Sequence, residues 1–315
     1  MAGSNGLVLR LCSLPRSTWR CLSRSVQKRG KIPILVRILL NVRRRPLKTL
    51  GLIGGGMMAT ALIKGLLKQN YPAARIYVSD PDPARRQILA ELGVETFSAN
   101  QPMLDALTTS GAEGVVLAVK PQVVPEALTG LNYPDLPLLS IVAGYSIAGL
   151  EELLPAGTKV LRAMPNTPAL IGEGITALTL GSKSGASEEA WAEKILRGLG
   201  RVVVVPENLM NAVTGLSGSG PGYVYLFIEA LIDGGVLAGL PRTLARELAV
   251  ATVLGSARLV AEAQEHPAVL RDMVTSPGGT TIAGLAHLER EGFAGQVMTA
   301  VLAATERARA LGEKE

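Results

Sequence analysis

The sequence predicts an α/β fold, a doubly wound parallel sheet followed by an all-α C-terminal region. Three observations carry that prediction. Residues 49–70 read as a short apolar strand, a glycine turn and a helix-spaced segment; further apolar runs alternate with turn and helix signals up to about residue 208; and beyond 208 the strand signal gives way to long Ala- and Leu-rich segments. At 315 residues, 48% hydrophobic and 18% charged, the chain can bury a sizeable core and reads as soluble and globular.

Taken in order, residues 1–48 stand apart. They hold 12 Lys and Arg and no acid, while the remaining chain holds 20 basic against 26 acidic residues, so the net charge of +6 belongs to this segment and not to the fold. Its Arg- and Ser-rich composition resembles an organellar transit peptide; the alternative is an extension outside the mature fold or a start placed too far upstream. Arg37 interrupts its apolar run, which argues against a membrane span. Both cysteines, Cys12 and Cys21, lie here, so the rest of the chain has no cysteine-based metal or redox site. With His266 and His287 as the whole histidine complement, no metal site is expected.

Strand, glycine turn and helix then follow as "TLGLIGGGMMATALIKGLLKQN". Gly54, Gly56 and Ala59 form G-x-G-x-x-A, in which one glycine makes a tight turn, the next lets backbone approach a pyrophosphate, and the small third residue lets helix and strand pack closely. A lone fingerprint is weak, but "RIYVSD" follows as a second strand ending in Ser79 and Asp80, where a ribose-binding acid belongs. "GVVLAVKPQ", "PLLSIVAGYS" and "KVLRAMPNTP" continue the alternation as strands apolar on both faces. This gives a Rossmann-type dinucleotide-binding domain over 49–208, with the cofactor crevice at the carboxyl ends of its strands.

Residues 209–315 read as an all-α region, whose apolar helices with few aromatics suit an intertwined dimer or, alternatively, a plain monomeric helical domain. "YVYLFIEALIDGGVLAGL" is nearly apolar all round but is interrupted by Glu229 and Asp233, which suits burial against protein, at a subunit interface, better than lipid. "TSPGGTT" (275–281) lies between helical stretches and offers backbone N–H groups and hydroxyls, but no carboxylate, thiol, imidazole or amine.

Together "GLSGSGPGYVYLFIEAL", "DGGVLAGLPR", "HPAVLRDMVTSPGGTTIAGLAHLE", "RAMPNTPAL" and the glycine fingerprint make residues 49–312 similar to the pyrroline-5-carboxylate reductases. Gly222 stands where that family usually has Ala. The resemblance implies hydride transfer from NADPH or NADH to the C=N bond of a cyclic imine bearing a carboxylate, the final step of proline biosynthesis. It implies a carboxylate held by backbone around Ser276, Gly278, Gly279 and Thr280, Thr281 as the catalytic residue hydrogen-bonded to the ring nitrogen, and Glu265 near the substrate. For the cofactor it implies phosphates on Gly54, Gly55, Gly56, Met57, Met58 and Ala59; Ser79, Asp80, Asn100 and Ala118, Val119, Lys120 and Pro121 along the dinucleotide; and Ile141, Val142 and Ala143 at the nicotinamide end. Asp80 favours NADH, because Arg85 and Arg86, the alternative receivers of the NADPH phosphate, must reach back to it. Ser217 and Ser219 read as N-caps of the long helix. A homo-oligomer is implied, at least an intertwined dimer, with the ring of dimers common in the family as a larger form, in the cytoplasm or, if residues 1–48 are a true transit peptide, in an organelle.

Two other readings compete. The 6-phosphogluconate and β-hydroxyacid dehydrogenases share a similar cofactor domain but use a catalytic lysine in the helical region, and residues 209–312 contain no Lys. A dinucleotide-binding interaction protein docking on nucleic acid or membrane through residues 1–48 would have Trp19 as the arm's sole aromatic and no recognisable module. Neither a nucleic-acid nor a membrane partner is therefore expected.

Overall fold

A computed structural model describes residues 48–312; the basic arm, with Cys12, Cys21 and Trp19, lies outside the described residues. The chain runs β1 (Thr49–Ile53), α1 (Met57–Lys68), β2 (Ile76–Ser79), α2 (Pro83–Ala90), β3 (Glu95–Phe97), α3 (Asn100–Ser110), β4 (Ala112–Leu117), α4 (Val124–Leu128), β5 (Leu138–Ser140), α5 (Ile147–Glu152), β6 (Val160–Met164), β7 (Gly174–Leu180), α6 (Ala186–Leu196) and β8 (Gly200–Val204). Helices follow: α7 (Met210–Val213), a π-turn (Thr214–Gly218), α8 (Gly220–Leu237), α9 (Arg242–Ala263), α10 (Pro267–Met273), α11 (Thr280–Arg290) and α12 (Phe293–Gly312).

The sheet order is β3-β2-β1-β4-β5-β6-β7-β8, so the order reverses between β1 and β4. At that point two crossover connections leave in opposite directions, and a crevice opens at the carboxyl ends of the strands. Successive side chains alternate faces, so Val115 joins one core and Val116 the other. One core packs α1 and α6 on the sheet; the other packs α3, α4 and α5. In α1 the buried Ala59, Leu62, Ile63 and Leu66 recur at helical spacing on one face. Each fully buried Leu of this stripe contributes about 1.5–3 kcal/mol relative to exposure.

Two features depart from the wholly parallel sheet the apolar runs suggested. β7 runs antiparallel to β6, and β8 pairs parallel with β7. Residues 165–173 form a connection too short to carry the chain across the sheet to a parallel start, so it reverses direction. β3, a three-residue edge strand, had no apolar run to announce it.

The helical half is thinly covered in a single chain. α8 has no buried residue, and α9 buries Ala245 and Ala249 alone. Leu226 and Leu254 stand 68% and 51% exposed, and apolar neighbours continue along both helices, more exposed hydrocarbon than a monomer's surface carries. Ser217 and Ser219 do not cap α8: the Ser217 hydroxyl donates to the Val213 carbonyl (3.1 Å), and Ser219 makes no capping bond. The π-turn, closed by the Ser219 N–H on the Thr214 carbonyl (2.8 Å), keeps the backbone helical from Met210 onward, so there is no helix start at Ser219 to cap.

Candidate functional site

Three strand ends meet at the order reversal. Ile53 lies in register with Ser79 on one side and Leu117 on the other, so Gly54, Asp80 and Ala118 emerge side by side. The Gly54 N–H donates to the Ser79 carbonyl and the Ala118 N–H to the Ile53 carbonyl, each at 2.8 Å. Gly54 turns at φ +95°, and a Cβ there would sit 2.8 Å from the Ala118 carbonyl oxygen, so glycine is required both by conformation and by space. Gly56 differs: a Cβ on it would meet nothing within 4 Å. That open approach lies at the start of a twelve-residue helix with no side-chain cap, the kind of terminus whose free backbone N–H groups suit an anion.

Of the turn's side chains, Met57 is exposed, Met58 half-buried and Ala59 buried. Asp80 is engaged below the turn. Its Oδ2 accepts from the Gly55 N–H at 2.7 Å and its Oδ1 from the Asp82 N–H at 2.9 Å. Arg86 folds back over the same corner, donating to the carbonyls of Asp80 (2.7 Å) and Pro81 (2.8 Å), while Arg85 is exposed. Arg86 thus lies back over the Asp80 corner, with its recorded hydrogen bonds made to backbone carbonyls. Ser79 is fully buried, and its hydroxyl donates to Asn100 Oδ1 (2.7 Å), whose amide donates to the Ala127 carbonyl (3.0 Å). Both residues hold the crevice wall together.

Further along, Ala118 and Val119 are half-buried and Lys120 is exposed, followed by a short turn from Pro121. Ile141 and Val142 point their side chains into the core, so only their backbone can face a ligand; Ala143 is exposed.

The second group of residues lies in the helical half. Gly278 turns at φ +69°, and α11 begins at Thr280 with Gly279 at its cap position. The Gly279 N–H is taken by the Ser276 carbonyl (3.0 Å), so the donors left at this helix start are those of Thr280, Thr281 and Ile282. Gly279 is itself constrained, because a Cβ there would collide with the Ser276 hydroxyl. Glu265 is exposed, next to Gln264 in left-handed conformation. The Thr280 side chain is exposed and that of Thr281 half-buried.

Contacts between the halves occur at the crevice side of the sheet. A Cβ on Gly218 of the π-turn would lie 2.7 Å from the Met164 methyl at the end of β6, and Thr167 Oγ1 lies 3.4 Å from Tyr225 Oη. Gly144, just past Ala143, meets the end of α12 at Leu311 and Gly312. A cavity of about 310 Å³ between α8 and α9, lined by Tyr225, Ile228, Glu229, Ile232, Arg242 and Arg246, includes none of the sequence-predicted site residues.

Titration is displaced away from both turns. Burial pushes up the phenols of Tyr71 and Tyr133, the former also beside Glu113. Lys159, donating to Glu188 at 2.7 Å, holds that carboxylate down at about 2, helped by the Gly185 N–H and the Ser187 hydroxyl. Among the described residues no cluster of three or more His, Cys, Asp or Glu could hold a metal ion, and no helix is long and apolar enough to cross a membrane.

Sequence reasoning passed over Arg162 and Glu207. Arg162 lies on β6 with its side chain 6% exposed, 3.3 Å from the Glu207 carboxylate. An arginine inside an apolar strand was the available signal, since a buried charge requires a partner.

Two family models match the chain. One, described as pyrroline-5-carboxylate reductase dimerisation, covers residues 207–311; the other, described as NADP oxidoreductase coenzyme F420-dependent, covers 49–144. A pyrroline-5-carboxylate reductase of Synechocystis sp. is 47% identical over 270 residues, 84% of this chain and 98% of that one; that of Pisum sativum is 41% identical over 268 residues, 84% and 96%. A solved structure of the reductase from Coxiella burnetii superposes with a TM-score of 0.77 at 32% identity, covering 84% of this chain and 99% of that one. The Plasmodium falciparum pyrroline carboxylate reductase with NADP bound gives 0.73 at 32% identity, covering 84% and 98%.

Proposed function

This chain belongs to the pyrroline-5-carboxylate reductase family, and we propose that its two turns divide that family's reaction between them. The chain is an NAD(P)H-dependent oxidoreductase that reduces the C=N bond of 1-pyrroline-5-carboxylate to give proline, the final step of proline biosynthesis. The protonated imine is already electrophilic, so the protein's task is placement more than acid strength. That agrees with a substrate turn carrying hydroxyls and N–H groups and no strong acid or base.

The observation that carries the assignment of roles is the start of α11, where left-handed Gly278 turns the chain so that the Thr280 and Thr281 N–H groups open a helix. A carboxylate suits such a terminus without an arginine. Ser276, Gly278 and Gly279 shape this turn, Thr281 offers its hydroxyl to the ring nitrogen as donor or acceptor, and Glu265 flanks the substrate. Gly54 to Ala59 receive the phosphates. Ser79, Asp80, Asn100 and Ala118 to Pro121 line the dinucleotide, and the Ile141, Val142 and Ala143 backbone meets the nicotinamide. When bound, the cofactor supplies the hydride; these residues supply orientation.

For the reductant, the Asp80 carboxylate at the end of β2 favours NADH, while Arg86 folded over the same corner and the Plasmodium relative named with NADP favour NADPH, and the ratio of the two activities decides between them. The chain's dimerisation region supports an oligomer. Its exposed apolar helices favour an intertwined dimer, with a ring of dimers as the larger form. The proposed division remains 49–208 for cofactor and 209–315 for substrate and dimer contacts, with a cytoplasmic location; import of a reporter carrying residues 1–48 into an organelle would overturn the last point.

The test is oxidation of NADPH and, separately, NADH with and without pyrroline-5-carboxylate, using the whole chain and the chain lacking residues 1–48. Imine-dependent oxidation retained without the arm supports the reading. Folded, cofactor-binding protein that oxidises neither would sink it.

A further inference from the structure

The stretch from Ile141 to Ile147 is tethered along its length. The Ser140 hydroxyl accepts from the Val142 N–H at 3.3 Å. Gly144 lies against the end of α12, where a Cβ on Gly312 would come within 3.0 Å of the Gly144 carbonyl oxygen. The Ile147 N–H, opening α5, donates to Glu207 Oε1 at 2.8 Å. That same oxygen accepts from Arg162 Nη1 at 3.3 Å. Between the tethers Ala143 alone is exposed, at the carboxyl end of β5.

Glu207 therefore joins three parts. It opens the turn Glu207–Leu209 that leads from the last strand into α7, and from there it reaches back to the start of α5 and to the interior of β6. Arg162 is nearly enclosed while Glu207 is partly exposed, and removing a charge that faces an enclosed guanidinium is costly.

We propose that Glu207 is a positioning residue for hydride transfer. It fixes the Ile141–Ile147 segment against β6 and ties it to the entry of the helical region that carries Thr281. This rests on the reading above that seats the nicotinamide on Ile141, Val142 and Ala143. Donor and acceptor carbons then hold their separation only while the segment and the helical region keep register, and misplacement by about 1 Å costs on the order of 10²-fold in rate.

Glu207→Gln keeps the length and one oxygen for the Ile147 N–H but removes the charge facing Arg162; Glu207→Asp keeps the charge and shortens the reach. In Glu207→Gln, kcat is expected to fall about 10-fold or more, while KM for pyrroline-5-carboxylate and Kd for the reduced cofactor stay within about threefold. The primary isotope effect from cofactor deuterated at the transferred position should rise, and Glu207→Asp should recover part of kcat. Unchanged kcat and isotope effect per folded site would overturn the proposal, as would a loss matched by lost folded protein or lost cofactor affinity. If Glu207→Gln does not fold, the same split read in Glu207→Asp decides. An unsubstituted enzyme without turnover would instead overturn the reductase reading itself.

Discussion

The Asp80 carboxylate accepts a 2.7 Å hydrogen bond from the Gly55 N–H, so the residue expected to read the ribose also holds the glycine turn in place. On the proposed reading, recognition and architecture share this one side chain, and a substitution there acts on both.

Replacing Asp80 with Asn keeps an oxygen for Gly55 and removes the charge that repels a ribose phosphate. The ratio of kcat/KM for NADPH over NADH should rise about tenfold, equivalent to about 1.4 kcal/mol. Arg86→Ala should move the ratio the other way. Steady-state kinetics with both cofactors checks the pair, and an unmoved ratio in both variants would remove this corner from cofactor choice.

Gly54→Ala forces a methyl group into the Ala118 carbonyl at a left-handed position. The conformation alone costs about 1–3 kcal/mol. A lower unfolding midpoint is expected, with cofactor binding lost in the protein that remains folded, measurable by calorimetry and by quenching of cofactor fluorescence.

At the proposed substrate turn, Thr281→Ala should lower kcat/KM for the imine by about 10- to 100-fold, the range of a hydrogen bond to a charged group at ~1.5–3 kcal/mol. Thr281→Ser should retain most activity, and Thr280→Ala, which keeps the backbone N–H, should lose less than Thr281→Ala. Equal losses in both alanine variants would assign the effect to the turn's conformation.

The Lys159–Glu188 pair predicts an acid limb in stability. Glu188 is held at about 2, below its ordinary 4.5, so its contribution is complete above about 4.5 and is lost as pH falls towards about 2. Lys159 is raised by the same contact, so its contribution is complete below its ordinary 10.5 and fades only as pH climbs above that. Glu188→Gln should melt lower than wild type near neutrality, with the two curves converging at the acid end; parallel curves down to pH 2 would refute the linkage.

Exposed Leu226 and Leu254 belong to helices that lack cover in one chain. Leu254→Glu should weaken self-association and make the melting temperature more dependent on protein concentration, as expected when folding and assembly are linked. Sedimentation across a dilution series measures this.

How much was legible follows from range. Gly54, Gly56 and Ala59 were readable because strand, turn and helix are contiguous, and the helical half was readable from its spacing. "SPGGTT" stood out because its residue types break an alanine-rich pattern. β7 and β8 were not named among the apolar runs, and β7's antiparallel direction follows from the short connection after β6, which the residue pattern does not show. Ser217 and Ser219 were misread because a π-turn is set by packing of Gly215 against α12 near Val301 and Thr305, which no local pattern shows.

By itself, then, the sequence determined the first strand–turn–helix unit, the helical half and the chemistry each turn can offer, since periodicity, glycine placement and side-chain type are local properties. The tertiary structure decided what those groups do to one another. Asp80 beneath Gly55, Arg86 over the Asp80 corner, and Glu207 between Arg162 and Ile147 are contacts between residues 6 to 60 positions apart. Apart from the local Arg86 contact, these exist only once the sheet has ordered its strands, because hydrogen bonds and ion pairs act over a few ångströms of space and not along the chain.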